Sequence, residues 1–369
     1  MPNFSILRQA NPQKTFRVAS IMGMFDLETN KIQERFEGNI EMPKEWKIGL
    51  IVGNSGTGKT TIAKELFPDS YITNFEYTHE SILDDMPKNK SVQEIAKVLT
   101  SVGFSSPPSW LKTYQVLSNG EKMRCDLARA ILSDEKLFVF DEFTSVVDRN
   151  VAKVGSFAMQ KAIRKVEDKQ MIAVTCHFDI ENWLLPDWVF NTNDMTFRIC
   201  DSKKKRPDIR LDIVKYEGDK NKIWKRFAKY HYLSHYHNNA ANVYLCLVDG
   251  ILAGFCSVLT FPHPFLKRCK RIHRLVVLPD FQGIGIASYF SETIAEMYKQ
   301  QGYTFTITTS NPALIYKWCK SHKWIATSKK GRKSPGNKRR YSISTPNNTS
   351  CNRLTVSFKY VGENGKNKR

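Results

Sequence analysis

The sequence predicts an α/β protein in two parts, the first with a parallel sheet around a phosphate-binding loop and the second richer in strands. In the first part, an apolar strand, a glycine-rich loop and a helix follow one another at residues 46–67. Short apolar runs at 136–142 and 171–179 are bounded by polar residues, as buried parallel strands are. After residue 208 the order becomes strand, helix and then several strands, with a second glycine turn before a helix at 278–290.

A length of 369 residues exceeds that of a typical single domain. We place the boundary at Asp201–Asp208, a charged, proline-containing segment between apolar stretches. This predicts an N-terminal domain at 1–200, a basic linker at 201–207, a second domain at 208–360 with a basic loop at 329–340, and a disordered tail at 361–369.

Several classes of protein are disfavoured by composition. The sequence has no run of about 18 apolar residues, the length that crosses a membrane, and residues 1–18 lack the apolar core of a signal peptide. The eight cysteines form no CxxC pair and several lie in apolar runs, which favours buried thiols over a disulfide framework or a zinc site. We therefore expect a soluble, cytoplasmic protein that makes no contact with a membrane.

The net charge of +20 is unevenly distributed. Residues 1–200 carry 24 Lys and Arg against 26 Asp and Glu, whereas residues 201–369 carry 32 against 10. Such an excess predicts contact with a polyanion such as nucleic acid. A solvated basic surface without a specific partner is the alternative.

The segment Gly53–Thr60, GNSGTGKT, matches the Walker A pattern in full. Lys59 would reach the β and γ phosphates of ATP, and Thr60 would ligate Mg²⁺. Asp141 and Glu142 follow an apolar run, as do the Mg²⁺-linked carboxylate and the base that polarises water. The predicted ATP-binding residues of the loop are Gly53, Asn54, Ser55, Gly56, Thr57, Gly58, Lys59, Thr60 and Thr61.

Three further segments resemble those of ABC ATPases. LSNGEKMRCDLARAIL at 117–132 resembles the family's signature and its following helix, SVVD at 145–148 resembles the D-loop, and His177 after VTC resembles the switch histidine. Taken alone, His177 is better interpreted as a core histidine. With the Walker motifs, the resemblance covers most of residues 15–195.

The resemblance implies a homodimer that sandwiches ATP. The Walker loop of one protomer would be capped by Ser118 and Gly120 of the other. Asp148 joins the ATP-binding residues, and Glu142 and His177 are the implied catalytic residues. The helical arm is short and no spanning segment is present, so a transporter motor is the less favoured interpretation.

The signature departs from the family at two positions, where Asn119 replaces a glycine and Glu121 replaces a glutamine. The expected Q-loop region holds no convincing glutamine, and Asp84 or Asp85 is the replacement that we consider. Phe36 is a candidate for stacking on adenine, although a core phenylalanine is the favoured interpretation.

The stretch LPDFQGIGIASYF at 278–290 places a Q-x-x-G-x-A pattern between a strand and a helix. Together with the preceding IHRLVV and the downstream TTSNPALIYKW, it resembles GNAT acetyltransferases over residues 208–360. The resemblance implies an α+β domain with a central mixed sheet, in which backbone N–H groups hold the pyrophosphate of acetyl-CoA or another acyl-CoA. The implied acyl-CoA-binding residues are Leu275, Val277, Gln282, Gly283, Ile284, Gly285, Ile286, Ala287 and Asn311.

His273 and Tyr316 are the candidate catalytic residues of this second part. Strand alternation predicts that His273 shares a face with Leu275 and Val277. It is either the general base, since histidine titrates near neutrality, or a structural residue. Tyr316 resembles the tyrosine that protonates the leaving thiolate, with a buried core tyrosine as the alternative.

The segment KYHYLSHYHNNA at 229–240 contains His231, His235 and His237. It is either a substrate-facing loop that stacks on a nucleobase or a helix end with partly buried rings. The architecture resembles ABC-ATPase–acetyltransferase fusions of bacteria and phages. We expect ATP-dependent N-acylation or a related modification of nucleic acid; the alternatives are an ATP-gated protein or small-molecule acetyltransferase and a non-catalytic nucleic-acid clamp.

Overall fold

The computed structural model describes residues 4–11, 13, 15–27, 32–200, 209–231, 236–262, 268–327 and 355–363. The predicted linker, the basic loop at 329–340, most of the tail and His235 lie outside the described residues.

The chain packs into two compact units that alternate along the sequence. The first consists of Met1–Phe75, Asp134–Val146 and Ile163–Arg206, and the second of Glu76–Ser133, Val147–Ala162 and Pro207–Arg369. Helical segments from the N-terminal part of the sequence therefore pack with the C-terminal part. The consecutive domain boundaries given above stay a prediction.

The elements of the first unit, numbered in chain order, are β1 (Phe4–Ala10), α1 (Phe16–Met24), β2 (Ile32–Gly38), β3 (Ile48–Val52), α2 (Lys59–Leu66), β4 (Tyr71–Ile72), β5 (Leu137–Phe140), β6 (Gln170–Thr175), α7 (Glu181–Leu184), β7 (Trp188–Asn191) and β8 (Thr196–Ile199). Strands β3 to β8 form one sheet in the order β4-β5-β6-β3-β7-β8. Its pairs are parallel except β7–β8. Strands β1 and β2 form a separate antiparallel ribbon.

The parallel sheet confirms the interpretation of the apolar runs as buried strands. Strand β3 lies between β6 and β7, and all five of its residues are buried. A strand covered on both faces needs a continuous apolar sequence, which IGLIV supplies. Gly49 is required there because a Cβ would overlap the ring of Trp188.

The elements of the second unit are α3 (Val92–Ser101), α4 (Pro107–Trp110), α5 (Asn119–Leu132), α6 (Arg149–Ile163), β9 (Leu211–Tyr216), α8 (Lys220–Ala228), β10 (Asn242–Val248), β11 (Ile251–Thr260), β12 (Cys269–Val277), α9 (Ile286–Gln300), β13 (Thr304–Thr309), α10 (Pro312–Lys320), β14 (Trp324–Ala326) and β15 (Val356–Tyr360). Strands β9 to β15 form a sheet in the order β14-β15-β13-β12-β11-β10-β9. Because β12 and β13 are parallel and the other described pairs are antiparallel, the sheet is mixed, as predicted.

Local sequence explains the β10–β11 hairpin. Asp249 and Gly250 have φ angles of +49° and +82°, the two left-handed positions of a tight hairpin turn. The predicted turn is therefore confirmed. Alternate residues of β11 then enter two apolar clusters: Cys256 packs with Phe290 of α9, and Phe255 packs with Trp224 of α8.

Across the part of the chain that the structure describes, no helix has both the length and the apolar character needed to cross a membrane.

Candidate ATP and acyl-CoA sites

The loop between β3 and α2 has the backbone shape that phosphate binding requires. Gly56 and Gly58 have φ angles of +84° and +83°, where side chains are disfavoured. A Cβ on Gly53 would overlap the hydroxyl of Thr192. Helix α2 starts at Lys59, directly after this turn, and the N–H groups of its first turn lack intrahelical partners and suit an anion.

The side chains of the loop bind its own backbone. The Thr57 hydroxyl donates to the carbonyl oxygen of Asn54 at 2.9 Å, and Lys59 Nζ donates to the same oxygen at 2.6 Å. The lysine that we expect to meet phosphates is therefore held at the loop. The ring of Phe36 fills the space beside Gly58 and is 8% exposed, which supports the core interpretation of that residue.

The structure brings together the two predicted Mg²⁺ ligands. Thr60 Oγ1 donates to Asp141 Oδ2 at 2.8 Å, and the backbone N–H of Glu142 donates to Asp141 Oδ1 at 2.8 Å. A hydroxyl and a carboxylate are oxygen donors that Mg²⁺ prefers, so these residues fit the ion.

The sequence did not indicate Tyr71, which also belongs to this site. Its hydroxyl donates to Asp141 Oδ2. Burial, followed by the hydrogen bond to Asp141, raises the pKa of Tyr71, so the hydroxyl stays protonated and keeps donating. Because Tyr71 and Asp141 are distant in sequence, no local pattern could have paired them.

Glu142 has an exposed side chain on a strained backbone. Its φ angle is +50° and that of Thr144 is +70°, both in the left-handed region that non-glycine residues rarely adopt. Backbone strain of this kind concentrates at functional sites. His177 precedes a short 3₁₀ turn, and its backbone N–H donates to Thr175 Oγ1 at 3.2 Å. The catalytic roles of Glu142 and His177 stay predictions.

Ser118 begins α5 through a reciprocal cap. Its hydroxyl accepts from the N–H of Glu121 at 3.3 Å, and its own N–H donates to Glu121 Oε2 at 3.1 Å. Glu121 Oε1 also accepts from Ser109 Oγ at 2.9 Å. The glutamate that replaces the family's glutamine therefore caps the helix, while Ser118 itself stays exposed.

Gly120 and Asp148 both have structural roles in the second unit. A Cβ on Gly120 would lie 3.1 Å from Val151 and 3.2 Å from the guanidinium of Arg124. Asp148 Oδ1 accepts from the N–H groups of Asn150 at 2.9 Å and Val151 at 3.1 Å, which caps the start of α6. Contact of either residue with ATP stays a prediction.

Asp85, one candidate for the Q-loop position, holds a local turn. Its Oδ1 accepts from the N–H of Thr78 at 3.0 Å and pairs with His79 Nδ1 at 2.7 Å. Burial acts to raise the pKa of this carboxyl, but the bonds from His79 and Thr78 outweigh burial and lower it. The Q-loop assignment of Asp84 or Asp85 stays a hypothesis.

The predicted acyl-CoA loop is a second glycine turn before a helix. Gly283 and Gly285 have φ angles of +86° and +101°, and α9 begins at Ile286. No atom lies within 4 Å of a Cβ placed on Gly285, so this side of the turn is open. The open turn fits a pyrophosphate, as do the N–H groups of the first turn of α9, which lack intrahelical partners.

The first two residues of this loop pack against helix α6 and the connection between α3 and α4. Gln282 Oε1 accepts from the N–H and the hydroxyl of Ser105 at 2.9 and 2.8 Å, and its Nε2 donates to the carbonyl of Val277 at 2.7 Å. A Cβ on Gly283 would lie 2.7 Å from Ala158 and 2.8 Å from Gly103. The side-chain amide of Gln282 is therefore committed to holding the loop in place.

Strands β12 and β13 separate beside this loop. Their parallel pairing covers only Cys269–Arg271 and Thr304–Thr306, although β12 continues to Val277. From Ile272 onward, the edge of β12 facing β13 has backbone groups that no β13 strand pairs with. An extended, amide-containing chain such as the pantetheine arm of CoA can bind such an edge.

A β-bulge in β12 occurs at His273. Ile272 pairs with Val258 and Arg274 pairs with the adjacent Ser257, so His273 is the extra residue. A bulge reverses the alternation of side chains beyond it, and bulges are frequent next to active sites.

The bulge changes which side chains share a face. The ring of His273 lies 6.0 Å from that of His237, whose ring lies 5.5 Å from that of Phe255. Leu275 and Val277 instead pack in the cluster beneath α9. The prediction that His273 shares their face is wrong, because alternation assumes a regular strand.

His273 is half-buried, and its imidazole is neutral at pH 7. Burial, and then the charges of Arg274 and His237, lower its pKa to about 4. Among the described residues, none makes a hydrogen bond to its Nε2. His237 is 5% exposed and packs on Trp224, as does His231, whereas Tyr236 is 64% exposed. The described part of the 229–240 segment thus has partly buried rings, and contact with a nucleobase stays a prediction.

Helix α10 carries Tyr316 and is capped by Asn311. The Tyr316 side chain is 59% exposed, so it is not a buried core tyrosine, and its hydroxyl accepts from Lys320 Nζ at 2.6 Å. Asn311 Oδ1 accepts from the N–H groups of Ala313 and Leu314 at 3.0 and 3.1 Å. Asn311 therefore has a capping role that its position in the motif did not indicate.

Comparisons with known proteins agree with both sets of motifs. The profile described as "Acetyltransferase (GNAT) family" matches residues 211–316. An ATP-binding cassette sub-family F member 3 homolog of Encephalitozoon cuniculi (strain GB-M1) is 26% identical over 162 residues, which cover 42% of this chain and 26% of that protein. The energy-coupling factor transporter ATP-binding protein EcfA of Aster yellows witches'-broom phytoplasma (strain AYWB) is 25% identical over 166 residues, which cover 35% of this chain and 60% of that protein.

This chain thus spans about a quarter and three fifths of the lengths of these two relatives. Among solved structures, a dimeric ATP-binding cassette in a post-hydrolysis state with ADP and phosphate aligns at a TM-score of 0.36 and 14% identity. The alignment covers 45% of this chain and 92% of that chain.

The motifs, the mixed sheet and these matches support a chain that joins a region similar to ATP-binding cassettes to a GNAT acetyltransferase domain. The acetyltransferase family model matches residues 211–316, and the relatives named above are ATP-binding cassette proteins.

Proposed function

We propose that the protein hydrolyses ATP and transfers an acyl group from a CoA thioester, with acetyl-CoA as the expected donor, to a nitrogen atom of a nucleic acid. One observation carries the proposal. The chain contains two turns, at Gly58 and Gly285, in which a left-handed glycine lies directly before the start of a helix. Each is suited to bind phosphate groups, and each lies in a motif of a different family.

In the ATPase region, Lys59 would bind phosphate oxygens, and Thr60 and Asp141 would hold Mg²⁺. The ion, when bound, neutralises charge on the phosphates. Glu142 takes a proton from the attacking water. We infer that two copies of the chain assemble around ATP, with Ser118 exposed at the start of α5 and available to the phosphates of the partner's nucleotide.

In the acetyltransferase domain, the turn at Gly285 would hold the pyrophosphate, and the edge of β12 beyond its pairing with β13 would bind the pantetheine arm. Acetyl-CoA supplies the activated acyl group when bound. His273 accepts the proton that the acceptor nitrogen loses, since its imidazole is neutral and its buried Nε2 has no hydrogen-bond partner among the described residues. Tyr316 protonates the departing thiolate, and the ammonium of Lys320 stabilises the phenolate that results.

Two observations favour a nucleic acid as the acceptor. Residues 201–369 carry 32 Lys and Arg against 10 Asp and Glu, which suits phosphate backbones. A histidine with a pKa of about 4 is a weak base. The amino groups of nucleobases are uncharged at neutral pH and need no strong base, whereas a lysine side chain must first lose a proton.

The direct test is transfer of label. The full chain is incubated with MgATP, radiolabelled acetyl-CoA and, separately, single-stranded DNA, duplex DNA, structured RNA and a lysine-rich protein. We expect label on a nucleic acid, dependent on ATP, and lost in His273→Gln. Label on the protein alone would establish the ATP-gated protein acetyltransferase, and nucleic-acid binding without any label would leave the non-catalytic clamp.

Salt dependence tests the acceptor independently of chemistry. If the basic part of the chain neutralises about six phosphates, the binding constant for duplex DNA falls with a log–log slope of about −5. A flat dependence would contradict a nucleic-acid partner.

A further inference from the structure

The helical region of the ATPase packs against the acyl-CoA loop within the second compact unit. Glu76–Ser133 and Val147–Ala162 belong to the same unit as the acetyltransferase domain. Helix α10, which carries Tyr316, packs against α3. The acetyltransferase site is therefore assembled partly on ATPase helices, which neither family's motifs indicated.

The turn after α3 and the acyl-CoA loop meet at two glycines. Gly103 has a φ angle of +89°, and a Cβ there would lie 2.8 Å from the carbonyl oxygen of Gln282. A Cβ on Gly283 would lie 2.8 Å from Gly103 Cα. Two backbones can approach this closely only where both residues are glycine. The Ser105–Gln282 hydrogen bonds lock the same contact.

A buried arginine connects α5, which we call the signature helix, to the residues just before the acyl-CoA loop. Arg124 lies one turn after Gly120 and is 1% exposed. Its Nη1 donates to the carbonyl of Gly120 at 3.2 Å, and its Nη2 donates to the carbonyl of Asp280 at 3.4 Å. Asp280, Glu121 and Asp148 supply the negative charges around it. A buried charge of this kind is strongly tied to its partners.

Helix α6 makes the second connection. It begins at the cap supplied by Asp148 and, one to two turns later, Val154 enters the acetyltransferase core with Phe281 and Ile286. Ala158 then contacts Gly283. The helix that starts after the D-loop therefore passes beneath the acyl-CoA loop.

We infer that Arg124 and Ser105 are positioning residues of the acyl-CoA loop, and that the ATP-dependent state of the signature helix sets the affinity for acyl-CoA. The inference rests on the proposed function. When ATP draws Ser118 and Gly120 against a partner protomer, Arg124 shifts Asp280 relative to the rest of the domain, because close-packed interiors have low compressibility and transmit strain. Coupling is reciprocal, so acyl-CoA changes the affinity for ATP by the same factor.

The test measures the Kd of acetyl-CoA by calorimetry on the full chain carrying Glu142→Gln, which binds ATP but hydrolyses it slowly. Titrations with and without MgATP give a ratio of two Kd values. We expect a ratio that departs from one by about fivefold or more. Arg124→Met and the milder Ser105→Ala should return the ratio towards one while acetyl-CoA still binds. Ser105→Ala keeps the test available if the buried Arg124→Met fails to fold.

Arg129→Met is the matched control. Arg129 lies on the same helix, but its guanidinium donates to the carbonyl of Glu76 at 2.6 Å and lies 4.8 Å from the ring of Tyr77. Its replacement should leave the ratio unchanged. Lysine keeps the positive charge of Arg124 but lacks the planar set of several donors of the guanidinium. Arg124→Lys should therefore retain part of the ratio that Arg124→Met loses.

Each outcome of these titrations tests a different part of the inference. Loss of the ratio in Arg124→Met and Ser105→Ala, but not in Arg129→Met, supports the inference. A ratio of one in the parent, with both ligands bound, overturns the coupling. A ratio that persists in Arg124→Met and Ser105→Ala overturns the positioning roles. Absence of acetyl-CoA binding under every condition instead overturns the proposed acyltransferase function.

Discussion

Replacing Gly283 by alanine tests the packing of the acyl-CoA loop, and Gly285→Ala is its control. Both glycines have left-handed φ angles, so either substitution carries backbone strain of about 1–2 kcal/mol. They differ in their surroundings. The new Cβ at Gly283 meets Ala158 at 2.7 Å and Gly103 at 2.8 Å, whereas the Cβ at Gly285 meets nothing within 4 Å.

The difference between the two variants isolates the cost of overpacking. Extra atoms in a packed interior cost about 1–3 kcal/mol. One kcal/mol lowers Tm by about 2–4 °C in a unit of this size. We therefore expect Gly283→Ala to melt about 2–12 °C below Gly285→Ala, since this cost adds to strain that both variants share.

Calorimetric melting of the full chain at fixed pH and salt measures this difference. Gly283→Ala should also weaken the ATP dependence of acetyl-CoA binding, because the loop moves away from Gly103. Equal melting temperatures for the two variants would refute the reasoning, since they would mean that Gly283 does not pack against Gly103 and Ala158 in solution.

Three further predictions concern the sites. Glu142→Gln should lower the kcat of ATP hydrolysis by about 10²–10⁴-fold while ATP still binds, and equal loss of ATP binding would contradict a role as base. Because the folded pKa of His273 lies below its unfolded value, the folded state resists protonation, so stability should fall as pH drops from about 6.5 to about 4; His273→Gln should flatten this part of the unfolding profile. Asn311→Ala should cost about 1 kcal/mol in urea unfolding through its lost cap, and an unchanged acetyl-CoA Kd would show that the cap is its only role.

The sequence predicted those features that a single segment decides. The hairpin at Asp249-Gly250 and the helix starts after Gly58 and Gly285 follow from backbone preferences of the residues themselves. The capping role of Glu121 could also have been predicted, since S-x-x-E is a capping pattern. The resemblance to the family indicated only that Glu121 replaces a glutamine.

Features that depend on distant residues were not predictable in this way. Ser105 and Gln282 are 177 residues apart, and neither residue type indicates a hydrogen-bond partner so distant in sequence. Tyr71 and Asp141 meet across parallel strands in the same manner. The bulge at His273 was not predicted, because side chains alternate with a period of two residues only in a regular strand. One inserted residue reverses which face each following side chain lies on.

In the proposed function, one polypeptide holds two different phosphate-bearing ligands at once. Calorimetric titration of the full chain with a non-hydrolysable ATP analogue and with acetyl-CoA tests this most directly, with Lys59→Ala as the comparison. We predict that the chain binds both ligands, and that Lys59→Ala removes the nucleotide signal but retains the acetyl-CoA signal. Failure of the parent chain to bind acetyl-CoA, or loss of both signals together in a folded Lys59→Ala, would contradict it.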